Sequence, residues 1–136
     1  MIFDSLIRCF KATATFGPHH PLTEAKKYLR AGPRKQIIFH PEEVRAVIVT
    51  TGGFCPGLNV VIREIVNCLY FNYKVQVVYG IRYGYKGFYD YEWEVLTPEK
   101  VVNIHHLGGS ILGSSRGGFD LERIMKSIIE NGINQV

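Results

Sequence analysis

Cysteine is scarce in this 136-residue chain: Cys9, Cys55 and Cys68 are odd in number, far apart and without a CxxC pair. That argues against a disulfide framework or a zinc site and fits a reducing compartment. Long apolar runs are lacking as well, since nothing approaches the ~20 residues that span a membrane. The opening MIFDSLIRCFKATATF carries Asp4 within a short apolar stretch, which is a poor secretory signal. No block of like charge stands out. The formal charge of +4 is dispersed, with Lys26-Lys27 and Arg34-Lys35 as its densest basic spots. Neither resembles a nucleic-acid tract, so we expect no nucleic-acid and no membrane partner. GxGxxG and GK[ST] are both missing, which disfavours a dinucleotide-dependent oxidoreductase and a Walker-type NTPase. What remains is 46% hydrophobic and 21% charged, a globular composition.

Residues 1–43 show no sustained period and are punctuated by Gly17-Pro18, His20-Pro21, Gly32-Pro33 and His40-Pro41. They read as an irregular extension with a short helix over Leu22–Leu29. Regular structure begins at Val44. Arg45–Thr50 is a short β-branched run, the pattern of a strand buried on both faces. Leu58, Val61, Ile62, Ile65, Val66 and Leu69 then recur at helical spacing, with Asn59, Arg63, Glu64 and Asn67 on other faces. Val75–Ile81 is a second strand, so the unit is βαβ with parallel strands. Thr97-Pro98 opens a short helix to about His106, and Ser110–Leu112 reads as a brief strand. Asp120 caps a last helix bearing Leu121, Ile124, Met125, Ile128 and Ile129, closed by Asn131-Gly132. Ile133–Val136 reads as the opening of a further strand. The expected fold is α/β, a Rossmann-like three-layer αβα arrangement with a mainly parallel sheet, incomplete, over residues 44–136.

Three stretches carry candidate chemistry. In Gly52-Gly53-Phe54-Cys55-Pro56-Gly57, a strand feeds a helix through glycines. Such a loop presents unsatisfied N–H groups at the positive end of a helix and lets a phosphate approach closely; the alternative is a structural turn. Cys55, without a His or Asn constellation, reads as a small packed thiol. Gly113-Ser114-Ser115-Arg116-Gly117-Gly118 sets one guanidinium, a bidentate phosphate donor, among small residues; the alternative is a glycine-rich surface loop. Arg82-Tyr83-Gly84-Tyr85-Lys86-Gly87-Phe88-Tyr89 interleaves aromatics with glycines, either as a purine-stacking face or as rings packed on the core. His105 and His106, adjacent on a helix, would diverge by about 100° and not share a metal.

Together AVIVTTGGFCPGLNVVIREI, GIRYGYKGFY, NIHHLGGSILGSSRGGFD and NGINQV resemble the amino-terminal part of 6-phosphofructokinases, in the plant-type and kinetoplastid-type branch. RAGPRKQIIFHPEEV resembles the plant-type lead-in to the first strand, so the resemblance runs from about Arg30 to Val136. It implies a donor-binding α/β domain, with phosphoryl transfer to the 1-hydroxyl of fructose 6-phosphate. The donor would be ATP, with pyrophosphate as the alternative, and Mg2+ would assist. By the same resemblance, Gly53 lies against the donor's phosphates, Tyr85 lines the nucleotide site, Arg116 reaches the transferring phosphoryl group and steadies its charge, and Gly117 is a further donor-binding residue. Arg63 matches an effector-site arginine of bacterial relatives, but Asn67 stands where a second basic residue is expected, so Arg63 reads as a solvent-facing helix residue.

The GGDG(T/S)-type loop with the magnesium aspartate and the motif with the catalytic base would follow Val136. No catalytic base and no metal ligand is therefore nominated among these residues; Asp90 and Asp120 read as turn or cap residues. The expected product is a fragment that carries part of a donor site without turnover, prone to aggregate through uncovered apolar surface. A short product that binds nucleotide or docks on full-length subunits is the competing class. The family implies homo- or hetero-oligomers and a cytoplasmic location, with a plastid as the alternative given Arg8, Lys11, Thr13 and Thr15.

Overall fold

The computed structural model describes residues 10–11, 27–28 and 37–136. The chain divides into two compact units, Met1–Arg34 and Lys35–Val136. In the first, β1 (Phe10–Lys11) pairs antiparallel with β2 (Lys27–Tyr28). The helix expected over Leu22–Leu29 falls mostly outside the described residues, and at Lys27–Tyr28 the backbone is strand instead.

In the second unit, a 3-10 turn at Pro41–Glu43 leads into β3 (Arg45–Val49). Then come α1 (Leu58–Asn67), a π-helical turn at Cys68–Asn72 and β4 (Val77–Ile81). β3 and β4 run parallel, Arg45 opposite Val77 and Val49 opposite Ile81. This is the expected βαβ unit. After a 3-10 turn at Gly84–Lys86 come α2 (Gly87–Asp90), β5 (Glu94–Val95), α3 (Pro98–Val101) and a 3-10 turn at Ile104–His106. α4 (Leu121–Glu130) closes the series.

β5 pairs antiparallel with β4, so the sheet is mixed rather than wholly parallel. The sequence reading missed this two-residue strand, which is too short to show a period of its own. On the far side of β3, Val47 N donates to Gln135 O at 2.9 Å, and Ala46 and Gln135 form a parallel bridge. The segment expected to open a further strand does pair in the sheet.

Alternation along β3 builds two cores. Ala46 and Ile48 join Ile62 and Val66 of α1 and Val101 of α3 on one face. Val47 joins Ile81, Phe88 of α2 and Ile124 of α4 on the other. A sheet covered on both faces by helices is the three-layer arrangement. Thr97 and Asp120 cap their helices through the N–H groups of Lys100 and Arg123. In the first turn of α3, Glu99 is held below the usual carboxylate range by its own backbone N–H and the Thr97 hydroxyl. Its stabilising contribution is present at neutral pH and lost as pH falls through that lowered value.

The helical stripes are broader than the faces they bury. On α1 the buried residues are Asn59, Ile62 and Val66, whereas Val61 and Ile65 are exposed. The buried arc is rotated from the one that apolar periodicity alone selects, because Asn59 takes a place on it. On α4 only Ile124 is fully buried, and Leu121, Met125 and Ile129 face outward. Among the described residues, no helix is long and apolar enough to cross a membrane.

Candidate functional site

Parallel β3 and β4 bring their carboxyl ends to one edge of the sheet, where open α/β sheets bind ligands. Residues 50–57 leave β3 there, and residues 82–86 leave β4. A third segment, 108–118, is latched onto both. Gly52 N donates to Ser115 O at 3.0 Å, and Ser114 Oγ donates to Gly52 O at 2.8 Å. Thr50 Oγ1 donates to Gly113 O and lies 3.3 Å from Ser110 Oγ. Tyr83 N donates to Leu112 O at 2.8 Å. Ser110–Leu112 is therefore not the strand expected: Gly113 N turns back to Ser110 O at 3.0 Å. The sheet contact falls instead on Ser115, as a single parallel bridge to Thr51.

These latches carry Arg116 to the glycine loop. A Cβ placed on Gly53 would stand 3.1 Å from Arg116 Nη2, so the guanidinium rests on a face of Gly53 that only hydrogen leaves open. Among the described residues, that guanidinium makes no hydrogen bond or ion pair. Gly117 follows at φ +83°, with open space around it. The helix beyond the loop starts at Gly57 (φ 88°) with no side-chain cap, which leaves its first-turn N–H groups without a side-chain acceptor. Gly53 and Arg116 thus meet on the loop that leads from β3 into α1, with Gly117 next to Arg116 in the chain. Tyr85 sits on the turn after β4, half-buried, its ring edge-on to Phe119 at 5.3 Å. It packs against the core cluster that includes Ile81 and Phe88. Tyr83 is exposed at φ 60°, its ring beside Tyr91.

Several expectations change. Cys55 is exposed rather than packed. His105 and His106 do not diverge: in a 3-10 turn their ring centroids lie 3.8 Å apart. Among the described residues, no group of three or more His, Cys, Asp or Glu is placed to hold a metal. The two aspartates nearest in sequence are committed, Asp90 to Arg123 at 3.1 Å and Asp120 to its cap. The described residues thus offer no carboxylate set for Mg2+, and no step is assigned to that ion. Arg63, rather than facing solvent freely, is half-buried, donates to Val102 O at 3.3 Å and pairs with Glu64. The depression lined by Arg82, Tyr83, Tyr91, Glu92, Trp93 and Glu94 includes none of the four candidate residues. There Glu94 neutralises Arg82 at 2.7 Å and raises its pKa through that hydrogen bond.

Sequence reasoning missed Asn59. It is buried, donates Nδ2 to Leu107 O at 3.0 Å and accepts from Ile111 N at 2.8 Å. One amide thereby ties the first turn of α1 to the segment that delivers Arg116. An asparagine among the apolar positions of a helical stripe was the available signal. Asn59→Ala removes both bonds and leaves the part-buried Ile111 N–H and Leu107 C=O without this partner, a cost of about 1–3 kcal/mol. Urea unfolding measures this, and an unchanged midpoint would refute it.

The profile of the Phosphofructokinase family matches residues 45–136. The chain is 50% identical over 109 residues to "ATP-dependent 6-phosphofructokinase 2" of Arabidopsis thaliana, covering 80% of this chain and 24% of that protein. It is 48% identical over 106 residues to "ATP-dependent 6-phosphofructokinase" of Entamoeba histolytica, covering 76% and 24%. Among solved structures, phosphofructokinase of Pichia pastoris in the T-state aligns with a TM-score of 0.57 at 23% identity. That alignment covers 66% of this chain and 10% of the other, a likeness of fold. The chain spans about a quarter of the length of the Arabidopsis and Entamoeba relatives.

Proposed function

We propose, from the premise that the chain belongs to the phosphofructokinase family, that it supplies the donor-phosphate half of a 6-phosphofructokinase site. The observation that carries this is the Arg116 guanidinium resting on Gly53, without a hydrogen bond or ion pair among the described residues. A phosphoryl donor brings negative charge that develops further in the transition state, and a positioned cation with backbone N–H groups is what such a transfer asks of a protein. In this reading Gly53 accepts the donor's phosphates against the backbone. Arg116 and Gly117 face the phosphoryl group that moves, and Tyr85 borders the nucleotide. ATP is the favoured donor, since the Arabidopsis and Entamoeba relatives both carry ATP-dependent names, and pyrophosphate is the alternative. The acceptor is the 1-hydroxyl of fructose 6-phosphate, and the setting is glycolysis, with Mg2+ as the accompanying ion.

Two relatives carry chloroplastic names. For this chain we place the reaction in the cytoplasm, with the plastid as the alternative and oligomers as the working assembly. A green-fluorescent fusion of the whole chain reports which compartment applies.

The reading is tested by titrating the 136-residue chain with ATP and with pyrophosphate by calorimetry. Saturable binding of either supports it; binding of neither overturns it. With Asp90 and Asp120 both engaged elsewhere, the described residues place no free aspartate to take the proton of the attacking hydroxyl. We therefore expect binding without turnover: a coupled assay should detect no fructose 1,6-bisphosphate from these residues alone. Product at a rate proportional to protein concentration would contradict this.

A further inference from the structure

Lys86 stands thirty positions before Arg116 in sequence, yet its side chain reaches the same loop. Gly118 adopts φ +70°, and a Cβ there would collide with the Lys86 Cγ and come within 3.1 Å of its Cε. The lysine stem therefore lies along the backbone of Gly118, in a groove that exists because that residue has no side chain. The groove is fixed from both sides. Tyr89, one turn after Lys86, donates its hydroxyl to Gly118 O at 2.8 Å. Arg123 of α4 stacks on the Tyr89 ring at 3.7 Å and pairs with Asp90, which orients the tyrosine. Lys86 is exposed, and among the described residues its ammonium has no hydrogen bond or ion pair.

These two cations, neither of them paired among the described residues, thus flank one short segment. Arg116 begins it and rests on Gly53, while Lys86 rests on its end at Gly118, two residues on. Two residues of extended chain span at most about 7 Å, so the backbone seats of the two side chains lie close together on one loop. Between them Gly117 is open. An unpaired ammonium whose stem is seated in this way loses little rotamer freedom when it meets an anion.

Resting on the donor-site reading, we propose that Lys86 is a second donor-binding residue, its ammonium pairing with the polyphosphate chain on the side of Gly117 away from Gly53. It binds the phosphates shared by ATP and pyrophosphate, and adds nothing for an uncharged nucleoside.

The test uses the full 136-residue chain with ATP, pyrophosphate and adenosine as probes. Lys86→Met keeps the stem seated on Gly118 and removes the charge; Lys86→Arg keeps both. We expect Lys86→Met to weaken ATP and pyrophosphate about tenfold, as for one charge-assisted contact, and to leave adenosine unchanged. Lys86→Arg should restore the affinity. Wild-type binding of both anions by Lys86→Met would overturn the proposal, because the stem would then be the whole contribution. If Arg116→Met weakens binding and Lys86→Met does not, Lys86 alone is refuted and the donor site stands. If the unmodified chain binds neither anion, both readings fail. A urea midpoint of Lys86→Met equal to that of the unaltered chain excludes a folding artefact at position 86, which is exposed.

Discussion

Arg116→Met should raise the dissociation constants for ATP and pyrophosphate about 10- to 100-fold, the loss of one charged, bidentate contact worth roughly 1.5–3 kcal/mol. The change should leave stability nearly untouched, because the guanidinium is exposed and holds no other group of the described residues. Gly53→Ala is the companion measurement. Its methyl group would stand 3.1 Å from Arg116 Nη2, at the free end of a flexible side chain that can swing aside. The fold should tolerate it, while the arginine is turned from its seat and affinity falls. Calorimetric titration beside a urea melt separates the two effects. Unchanged affinity in Arg116→Met would remove the residue from the site, and a lowered melt in both variants would recast the loop as structural.

Gly87→Ala should be the most damaging single change to stability, costing about 3 kcal/mol or more. The position has ordinary helical angles, φ −61° and ψ −20°. On helix propensity alone, alanine would therefore gain about 1 kcal/mol over glycine. Space decides the outcome. The added Cβ collides with the Arg82 carbonyl oxygen and comes within 2.5 Å of Ile81 Cγ2, the first of these being backbone of the turn after β4. Neither can give way without moving the end of a central strand. A urea midpoint equal to that of the unaltered chain would show that the turn is softer than this packing implies. Loss of the cooperative transition would show the reverse.

How far the sequence reached differs from element to element for physical reasons. β3 was legible because a strand covered on both faces must be apolar at every position, and Ala46, Val47 and Ile48 are all buried. α4 was legible because Asp120 and Gly132 mark its ends. The glycine loop and Arg116 were legible as suspects, since glycines before a helix and a lone cation among small residues are unusual patterns. Their meeting was not, because it depends on hydrogen bonds between segments that carry no mark of each other. Ser114 could equally have faced solvent, and nothing local announces that its hydroxyl holds Gly52. Asn59 was misplaced because periodicity sorts residues by polarity, whereas a buried amide with both ends satisfied behaves as core. β5 lay below any periodic signal, and its pairing is set by β4.

The latches across the site also bear on the order in which the molecule comes together. Thr50 to Gly113, Gly52 to Ser114 and Asn59 to Leu107 join residues 63, 62 and 48 positions apart. Closing loops of that length costs chain entropy before any contact repays it, and such contacts tend to form late. The β3–α1–β4 unit, by contrast, is a local crossover. An early species holding that unit alone would present the glycine loop with no arginine beside it. On the proposed reading, anion binding through Arg116 would therefore signal completed folding. In a refolding experiment, ATP should recognise only chains in which residues 108–118 have already docked.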